Sequence, residues 1–197
     1  MYKRQIFGGT FDPIHEAHLE VAREAAGRLH LDRVLFIPAA HPPHKAGATH
    51  ASYADRLRMT ELACEGDSRF QASPLEAGTV RSYSIDTIEK LRAGLSTGLS
   101  ADDELFFIIG ADAFSEIRTW RRWRDVARSV RFVVVSRPGH IYDVPPEVSL
   151  ERLDTVEMAV SSSAIRAALA QGVRPASVPP RVLEYILVHR LYEAVSR

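Results

Sequence analysis

Strand-like and helix-like stretches alternate along the whole chain, and this alternation limits the folds it can adopt. The clearest strand is ELFFIIG at 104–110, a continuous apolar run of the kind expected for a central strand buried on both faces. The runs RVLFIPA at 33–39 and RFVVVSRPG at 131–139 look similar, while FQAS at 70–73 and TVEMAV at 155–160 predict further strands. We therefore expect an α/β fold with a Rossmann-like, doubly wound parallel sheet and right-handed crossovers.

Helical spacing of apolar residues predicts the helices between these strands. The first begins near His15, with Leu19, Ala22, Ala26 and Leu29 on its inner face. Ser52 is the expected N-cap of the second helix, and Ser82 or Ser84 that of the third. The remaining predicted helices cover 111–129, 161–172 and 179–192.

Length and composition favour one globular domain without a global charge. The chain has 197 residues, 46% of them hydrophobic, so one sizeable core spanning 1–197 is expected. Lys plus Arg and Asp plus Glu balance at 25 each, so no overall field draws nucleic acid or a membrane. The single cysteine, Cys64, cannot form an internal disulfide, and the sequence suggests neither a signal peptide nor a membrane span. A cytoplasmic protein is the expectation.

The unusual residues follow the predicted strands, where parallel sheets bind ligands. These strand ends carry GGTFDP, PAAHPPHK, GAD, SRPG and VSSS. All carboxyl ends of a parallel sheet lie at one edge, and ligands bind there near the point at which the strand order reverses. We expect one ligand site at that edge.

The stretch QIFGGTFDPIHEAH at 5–18 is the best candidate for binding phosphate. Gly8 and Gly9 let a backbone turn approach a polyanion closely, and a helix start offers unpaired N–H groups and a positive dipole end. His15 and His18, three residues apart, lie on one face of that helix. The alternative is an ordinary glycine turn followed by a surface or capping histidine.

Other strand-end residues also have a functional and a structural interpretation. His41, His44 and Lys45 sit in the proline-stiffened HPPHK loop, which could equally be a solvated basic loop. Ser161, Ser162, Ser163 and Arg166 could hold an anion, or one serine could merely cap a helix. Gly110 and Asp112 could receive a sugar hydroxyl, or Asp112 could be a helix-start acid. Zinc is a further alternative because HxxH occurs twice, but the spacing differs from the usual HExxH pair, and phosphate is favoured.

The motifs in these loops resemble those of a known enzyme family. GGTFDPIHEAH is similar to the GGTFDPxHxGH signature of the bacterial nicotinate-nucleotide adenylyltransferases, within the HxGH nucleotidyltransferase superfamily, with Ala17 in place of the usual glycine. HPPHK, SYSIDT at 82–87 and SSSAIR at 161–166 resemble the PPHK, SYTxDT and SSTxIR segments of the same family, with Ser163 replacing Thr. The resemblance extends over nearly the whole chain.

The resemblance implies a fold of the nucleotidylyl transferase type and transfer of the adenylyl group of ATP to nicotinate mononucleotide, giving deamido-NAD and pyrophosphate. It implies Mg²⁺ bound with ATP, no protein-bound metal, and C-terminal helices, about 162–197, packed on the sheet edge. The catalytic residues it implies are His15, His18, Lys45 and Arg166. Those for ATP are Gly8, Gly9, Thr10, Phe11, His15, His18, Gly110, Asp112, Ser161, Ser162, Ser163 and Arg166, and those for the mononucleotide are His44, Lys45, Tyr83, Ser84, Thr87, Trp120 and Arg137.

Two alternative functions stay open at this point. Another HxGH adenylyltransferase, such as the pantetheine-phosphate type, would share the ATP half of the site but not HPPHK, SYSIDT and RTW. A non-catalytic nucleotide sensor on the same fold is suggested by Ala17, whose methyl group could crowd the first helical turn. The sequence leaves the oligomeric state open, a homo-oligomer included.

Overall fold

The computed structural model describes residues 3–42, 49–94, 103–136, 141–154 and 160–194. In these ranges the chain forms a six-stranded sheet in the order β3-β2-β1-β4-β5-β6, and every adjacent pair is parallel. The strands are β1 (Lys3–Gly9), β2 (Arg33–Pro38), β3 (Phe70–Ala72), β4 (Glu104–Gly110), β5 (Arg131–Val135) and β6 (Leu150–Leu153). The predicted doubly wound parallel sheet is confirmed.

The two central strands, β1 and β4, are buried on both faces, as the apolar run ELFFIIG predicts. They pair in register with Ile6 opposite Phe107 and Phe7 opposite Ile108. Successive side chains point to opposite faces, so Phe7 and Ile108 enter one apolar cluster and Ile6 and Phe107 the other. The strand order reverses between β1 and β4, which makes this pair the topological switch point.

Helices cover both faces of the sheet. On one face α1 (Glu16–Leu29), α2 (Tyr53–Cys64), α6 (Ser162–Ala170) and α7 (Pro180–Val188) contribute to one cluster. On the other face lie α3 (Ser84–Arg92), α4 (Ala111–Ser115) and α5 (Trp123–Ser129). Within the described ranges no helix is both long and apolar enough to cross a membrane.

Most predicted helix boundaries agree with the structure. His15 is the N-cap residue of α1, and Leu19, Ala22 and Ala26 are buried beneath it. The Ser52 hydroxyl accepts a hydrogen bond from the Asp55 N–H at 3.1 Å and caps α2 as predicted. Ser161 caps α6 in the same way.

Three details of the predicted helices were wrong. The stretch 111–129 is interrupted by a short 3₁₀ helix, Ile117–Thr119, and by Arg122 in the left-handed region (φ 52), so it is not one helix. Tyr83, not a serine, precedes α3, because the Ser82 hydroxyl instead accepts from the His41 N–H at 3.0 Å. The last helix ends at Val188, and Arg190 and Tyr192 both have positive φ angles.

One described strand, β6, was not predicted from the sequence pattern. β6 covers Leu150–Leu153, in which two charged residues separate two leucines and only Leu153 is buried, so it lacks the continuous apolar run that marks the clearest strands. The predicted strand at 155–160 falls mostly on 155–159, outside the described residues.

Candidate active site

A cavity of about 220 Å³ opens at the carboxyl ends of β1 and β4, where the strand order reverses. Phe107 and the half-buried Trp120 meet edge to face in its wall, with ring centroids 6.0 Å apart. The cavity brings together residues from both the ATP and the mononucleotide predictions, namely Gly8, Gly9, Gly110, Ser84, Thr87 and Trp120. Of the strand-end segments expected to meet at one sheet edge, the first loop and the GAD segment contribute Gly8, Gly9 and Gly110 to this cavity, and Ser84, Thr87 and Trp120 join them from elsewhere.

The two glycines of the first loop end strand β1 and have different surroundings. A Cβ atom on Gly9 would lie 2.7 Å from the Phe11 ring, which real side chains do not tolerate. A Cβ on Gly8 would make an ordinary 3.6 Å contact with Phe107. Gly9 is thus required by internal packing, while Gly8 is exposed on the cavity wall.

Phe11 packs its ring edge to face against the His18 ring. Its backbone is left-handed (φ 48) and its ring is buried, 5.1 Å from the His18 ring and 5.6 Å from the Phe7 ring. A buried ring cannot reach a nucleotide, so any contact of Phe11 with ATP would come from its backbone.

His15 and His18 stack face to face, with ring centroids 3.7 Å apart. His15 is 2% exposed, and its Nδ1 has no hydrogen-bond partner within the described residues. Burial lowers the pKa of His15 from 6.5 to about 4, so this imidazole is neutral near pH 7. The half-buried His18 ring is the outer member of the pair and contacts Phe7, a residue of the cavity wall, at 5.8 Å.

The backbone fixes the tautomer of His18. The His15 N–H donates to His18 Nδ1 at 3.2 Å, so Nδ1 is the acceptor nitrogen of the neutral ring. The remaining proton of a neutral His18 must then be on Nε2. This arrangement places an N–H donor at Nε2, while Nδ1 faces the backbone N–H of His15.

Two backbone N–H groups at the start of α1 are already hydrogen-bonded. The Glu16 N–H donates to the Ser177 carbonyl at 2.8 Å, and the His18 N–H donates to the His15 carbonyl at 2.9 Å. The unpaired N–H groups predicted at this helix start therefore do not include those of Glu16 and His18.

The serines of α6 each make a different contact. The Ser161 hydroxyl accepts from the Ala164 N–H at 3.2 Å, which is ordinary capping. The Ser162 hydroxyl donates to the Pro13 carbonyl at 3.0 Å, and the Ser163 hydroxyl accepts from Arg166 at 3.3 Å. Arg166 also donates to the Asp12 carbonyl at 2.7 Å. These bonds hold the start of α6 against the loop between β1 and α1.

Asp12 is the centre of this loop and was not predicted as a site residue. It is 4% exposed, and its carboxylate accepts from the N–H groups of His50 at 2.7 Å and Ala51 at 3.1 Å and from the Tyr192 hydroxyl at 2.7 Å. Burial, together with this bond to a carboxylate, raises the pKa of Tyr192. With its oxygens so occupied, Asp12 organises the loop and is not available as a base.

Comparison with known proteins identifies the family. The cytidylyltransferase-like family model matches residues 6–168. A "probable nicotinate-nucleotide adenylyltransferase" of Solibacter usitatus is 65% identical over 96% of this chain and 99% of its own length, and one of Thermus thermophilus is 41% identical over 95% and 97%. This chain belongs to the nicotinate-nucleotide adenylyltransferase family.

Solved structures support the fold of this family member. The nicotinic acid mononucleotide adenylyltransferase of Plasmodium falciparum, complexed with NaAD, superposes with a TM-score of 0.78 over 98% of both chains. Its sequence is 16% identical, so the likeness concerns the fold. The Rossmann-like sheet of the nucleotidylyl transferase type is thereby confirmed.

The alanine that replaces the family glycine is accommodated in α1. Ala17 is 5% exposed, and the helix runs unbroken through it from Glu16. The stacking of His15 on His18 is present in spite of this methyl group.

A second, wider cleft of about 510 Å³ adjoins the cavity of this adenylyltransferase, since Glu76, Ser82 and Thr87 line both. Tyr83 lies in this cleft, with Arg121 over its ring at 4.9 Å. The predicted mononucleotide residues are therefore divided between the two adjoining spaces. Asp112 is exposed on the first turn of α4, directly after the strand end at Gly110.

Several predicted residues cannot be placed. His44, Lys45 and Arg137 lie outside the described residues, and so does half of the second HxxH pair. In the parts of the chain that the structure describes, no group of three or more His, Cys, Asp or Glu side chains is placed to hold a metal ion.

Two buried charged residues beside the site were also missed. Arg56 on α2 is fully buried, and Glu76 is 7% exposed in the wall shared by the cavity and the cleft. Arg56 could have been suspected, because Met59, Thr60 and Ala63 lie on the same buried helix face. Glu76 lies in a loop without periodicity and gave no such signal.

Proposed function

We propose that this protein transfers the adenylyl group of ATP to nicotinate mononucleotide, forming deamido-NAD and pyrophosphate. The proposal depends above all on one observation, the Nε2–H tautomer of His18 beside an aromatic-lined cavity at the switch point. A donor held in one orientation can stabilise charge that develops on a phosphoryl oxygen.

In this reaction the 5′-phosphate oxygen of the mononucleotide attacks the α-phosphorus of ATP. A new P–O bond forms, the bond between the α-phosphorus and the bridging oxygen breaks, and pyrophosphate leaves with that bonding pair. No covalent enzyme intermediate is needed, so the protein mainly aligns the reactants and stabilises the charge of the transferred group.

The histidine pair would act on the α-phosphate. His18 would donate from Nε2–H to a non-bridging oxygen, and neutral His15 would support its ring by stacking at 3.7 Å. Because His15 is neutral near pH 7, a positively charged pair of stacked rings is avoided. Arg166, with Ser161, Ser162 and Ser163, would hold the β and γ phosphates, and the bonds from Ser162 and Arg166 to the loop between β1 and α1 support this placement.

Mg²⁺ would enter with ATP rather than in a site of its own. Mg²⁺ keeps several waters and is commonly held by substrate phosphates with few protein ligands, so a dedicated carboxylate cage is not required. When bound, it would neutralise charge on the phosphates. Thr10, Gly110 and Asp112 would contact the remainder of ATP.

The mononucleotide would occupy the aromatic-lined cavity. Trp120 would stack on the pyridine ring, with Ser84, Thr87 and Tyr83 along the sides, and His44, Lys45 and Arg137 are proposed from the family motifs alone. N–H donors in the pocket would form charge-assisted hydrogen bonds with the carboxylate of nicotinate mononucleotide. Against the amide NH₂ of nicotinamide mononucleotide they would face another donor, and each buried N–H left unpaired costs about 1 to 3 kcal/mol of binding free energy. We expect a kcat/KM at least roughly 10²-fold higher for nicotinate mononucleotide than for nicotinamide mononucleotide.

The test is pyrophosphate release from ATP with three separate acceptors: nicotinate mononucleotide, nicotinamide mononucleotide and phosphopantetheine. Release with the first acceptor supports the proposal, and equal use of both mononucleotides contradicts the substrate assignment. Release with phosphopantetheine alone would favour the pantetheine-phosphate type, and no release with any acceptor would favour a nucleotide sensor.

Substitution of His18 tests the mechanism. His18→Ala removes the oriented donor, so we expect kcat to fall by roughly 10² or more with the fold intact. His189→Ala, at an exposed helix end, is the control. Turnover of His18→Ala close to wild type would exclude the role given to His18.

A further inference from the structure

Arg56 is a fully buried arginine that lines neither the cavity nor the adjoining cleft. It lies on the inner face of α2, and its side chain is 0% exposed. Among the described residues no carboxylate lies within ion-pair distance of its guanidinium. A buried cation without a direct counter-ion is unfavourable unless its donors are otherwise satisfied.

The guanidinium instead donates to backbone carbonyls of three separate segments. Its Nη1 donates to Thr10 O and to Ala39 O, both at 2.7 Å. Longer bonds of 3.4 Å run from Nη2 to Ala40 O and from Nε to Ala51 O. One planar group thus joins the loop after β1, the exit of β2 and the segment just before α2.

Buried carboxylates hold the same segments through their N–H groups. The Ala40 N–H donates to Glu76 at 3.2 Å, and the Ala51 N–H donates to Asp12 at 3.1 Å. Ala40 and Ala51 are therefore each held at both backbone groups, by the cation at the carbonyl and by an anion at the N–H. Glu76 also accepts from the Thr87 hydroxyl at 2.7 Å, which extends the network to the cavity wall.

This network joins the two halves of the proposed active site. Thr10 belongs to the loop that leads into the histidine pair, whereas Ala39 and Glu76 line the cavity. The rigid fork of a guanidinium fixes the relative positions of its acceptors, which a flexible apolar side chain of similar volume would not do. In-line attack demands such fixed positions, because a displacement of about 1 Å can cost roughly 10²-fold in rate.

We propose that Arg56 is a positioning residue for adenylyl transfer. It would hold the loop after β1 and the exit of β2 at the separation that in-line attack requires. The inference rests on the proposed function. Arg56 acts through the Thr10 and Ala39 carbonyls and makes no contact with substrate in this proposal.

The test compares Arg56→Met, which fills much of the space without the fork, with Arg58→Met on the exposed face of the same helix. For folded Arg56→Met we expect kcat to fall by roughly 10², because the two sites are misaligned. The separate Kd values of ATP and nicotinate mononucleotide, measured by calorimetry, should stay within about threefold of wild type, because each half-site is retained. Arg58→Met should match wild type in all three measurements.

Arg56→Lys keeps the charge but cannot bond several carbonyls in one plane, and we expect its kcat to fall by roughly tenfold or more. A folded Arg56→Met or Arg56→Lys enzyme with wild-type kcat would overturn the proposal. So would failure of both variants to fold, since Arg56 would then serve stability alone. If wild-type enzyme itself releases no pyrophosphate, the proposed function fails instead, and the two failures are thereby distinguished.

Discussion

His15 should make the stability of the protein depend on pH between about 7 and 5. Its imidazole is 2% exposed, and burial lowers its pKa from 6.5 to about 4. The unfolded chain therefore binds a proton on His15 below pH 6.5, whereas the folded protein does so only below about pH 4. Stability is thus fully present above pH 6.5 and is lost as the pH falls towards 4.

The size of this effect follows from linkage. One extra proton on the unfolded state lowers the free energy of unfolding by about 1.4 kcal/mol for each pH unit. Between pH 7 and pH 5 the free energy of unfolding should fall by about 2 kcal/mol. The loss is smaller than that for a full proton over the whole range, because His15 of the unfolded chain is only partly protonated near pH 6.5. A loss of that size is readily measured in urea, since 1 kcal/mol shifts the midpoint by several tenths of a molar unit.

Carboxylates also titrate at acid pH, so the measurement needs a matched variant. His15→Asn removes the titrating ring but keeps a polar side chain suited to an N-cap position. Its absolute stability will differ, but its change between pH 7 and 5 should be smaller than that of wild type by about 2 kcal/mol. His189→Asn, at an exposed position, should keep the wild-type slope. Equal slopes in wild type and His15→Asn would refute the argument that burial depresses this pKa.

Three further predictions concern the support of the site. Tyr192→Phe removes the hydrogen bond to the buried Asp12 and should lower the free energy of unfolding, measured in urea, by about 2 kcal/mol. Tyr185→Phe removes the 2.9 Å hydrogen bond to the more exposed Asp55 and should lower it by about 0.5 to 1 kcal/mol. Equal losses in the two variants would contradict this reasoning. Gly9→Ala places a methyl group 2.7 Å from the Phe11 ring and should lower the free energy of unfolding by about 1 to 3 kcal/mol. Gly8→Ala, the control, should leave it nearly unchanged. A larger loss in Gly8→Ala than in Gly9→Ala would disprove the packing argument. Trp120→Ala should raise the KM for the mononucleotide and leave the KM for ATP unchanged, whereas the control Trp123→Ala should change neither. An unchanged KM for the mononucleotide in Trp120→Ala would show that Trp120 serves packing alone.

The sheet and its ligand edge could be predicted because they depend on patterns local to each segment. An apolar run such as 104–110 indicates a central strand, and each strand end marks one point on the same edge. The N-caps at Ser52 and Ser161 were likewise readable, since a capping hydroxyl bonds within its own helix start. β6 was not predicted, because the charged residues Glu151 and Arg152 interrupt its apolar pattern.

The supports of the site could not be predicted, because their partners are far apart in the chain. The bond from Tyr192 to Asp12 spans 180 residues and that from Arg166 to the Asp12 carbonyl spans 154, and neither leaves a periodic trace. The pairing of the Glu16 N–H could not be predicted for the same reason. The carbonyl that occupies the Glu16 N–H belongs to Ser177, far along the sequence.

These long-range bonds show where the geometry of the site comes from. The matched family region ends at residue 168, yet Ser177 and Tyr192 lie beyond it and both bond to the first loop or to the helix that follows it. The loop between β1 and α1 is thus held by Arg56, which donates to the Thr10 carbonyl, and by Tyr192, which donates to the Asp12 carboxylate. Because Phe11 in that loop supports the His18 ring at 5.1 Å, any movement of the loop would move the proposed phosphate donor. In the proposed mechanism the motif supplies the reacting groups, and residues outside the motif hold the loop that carries them.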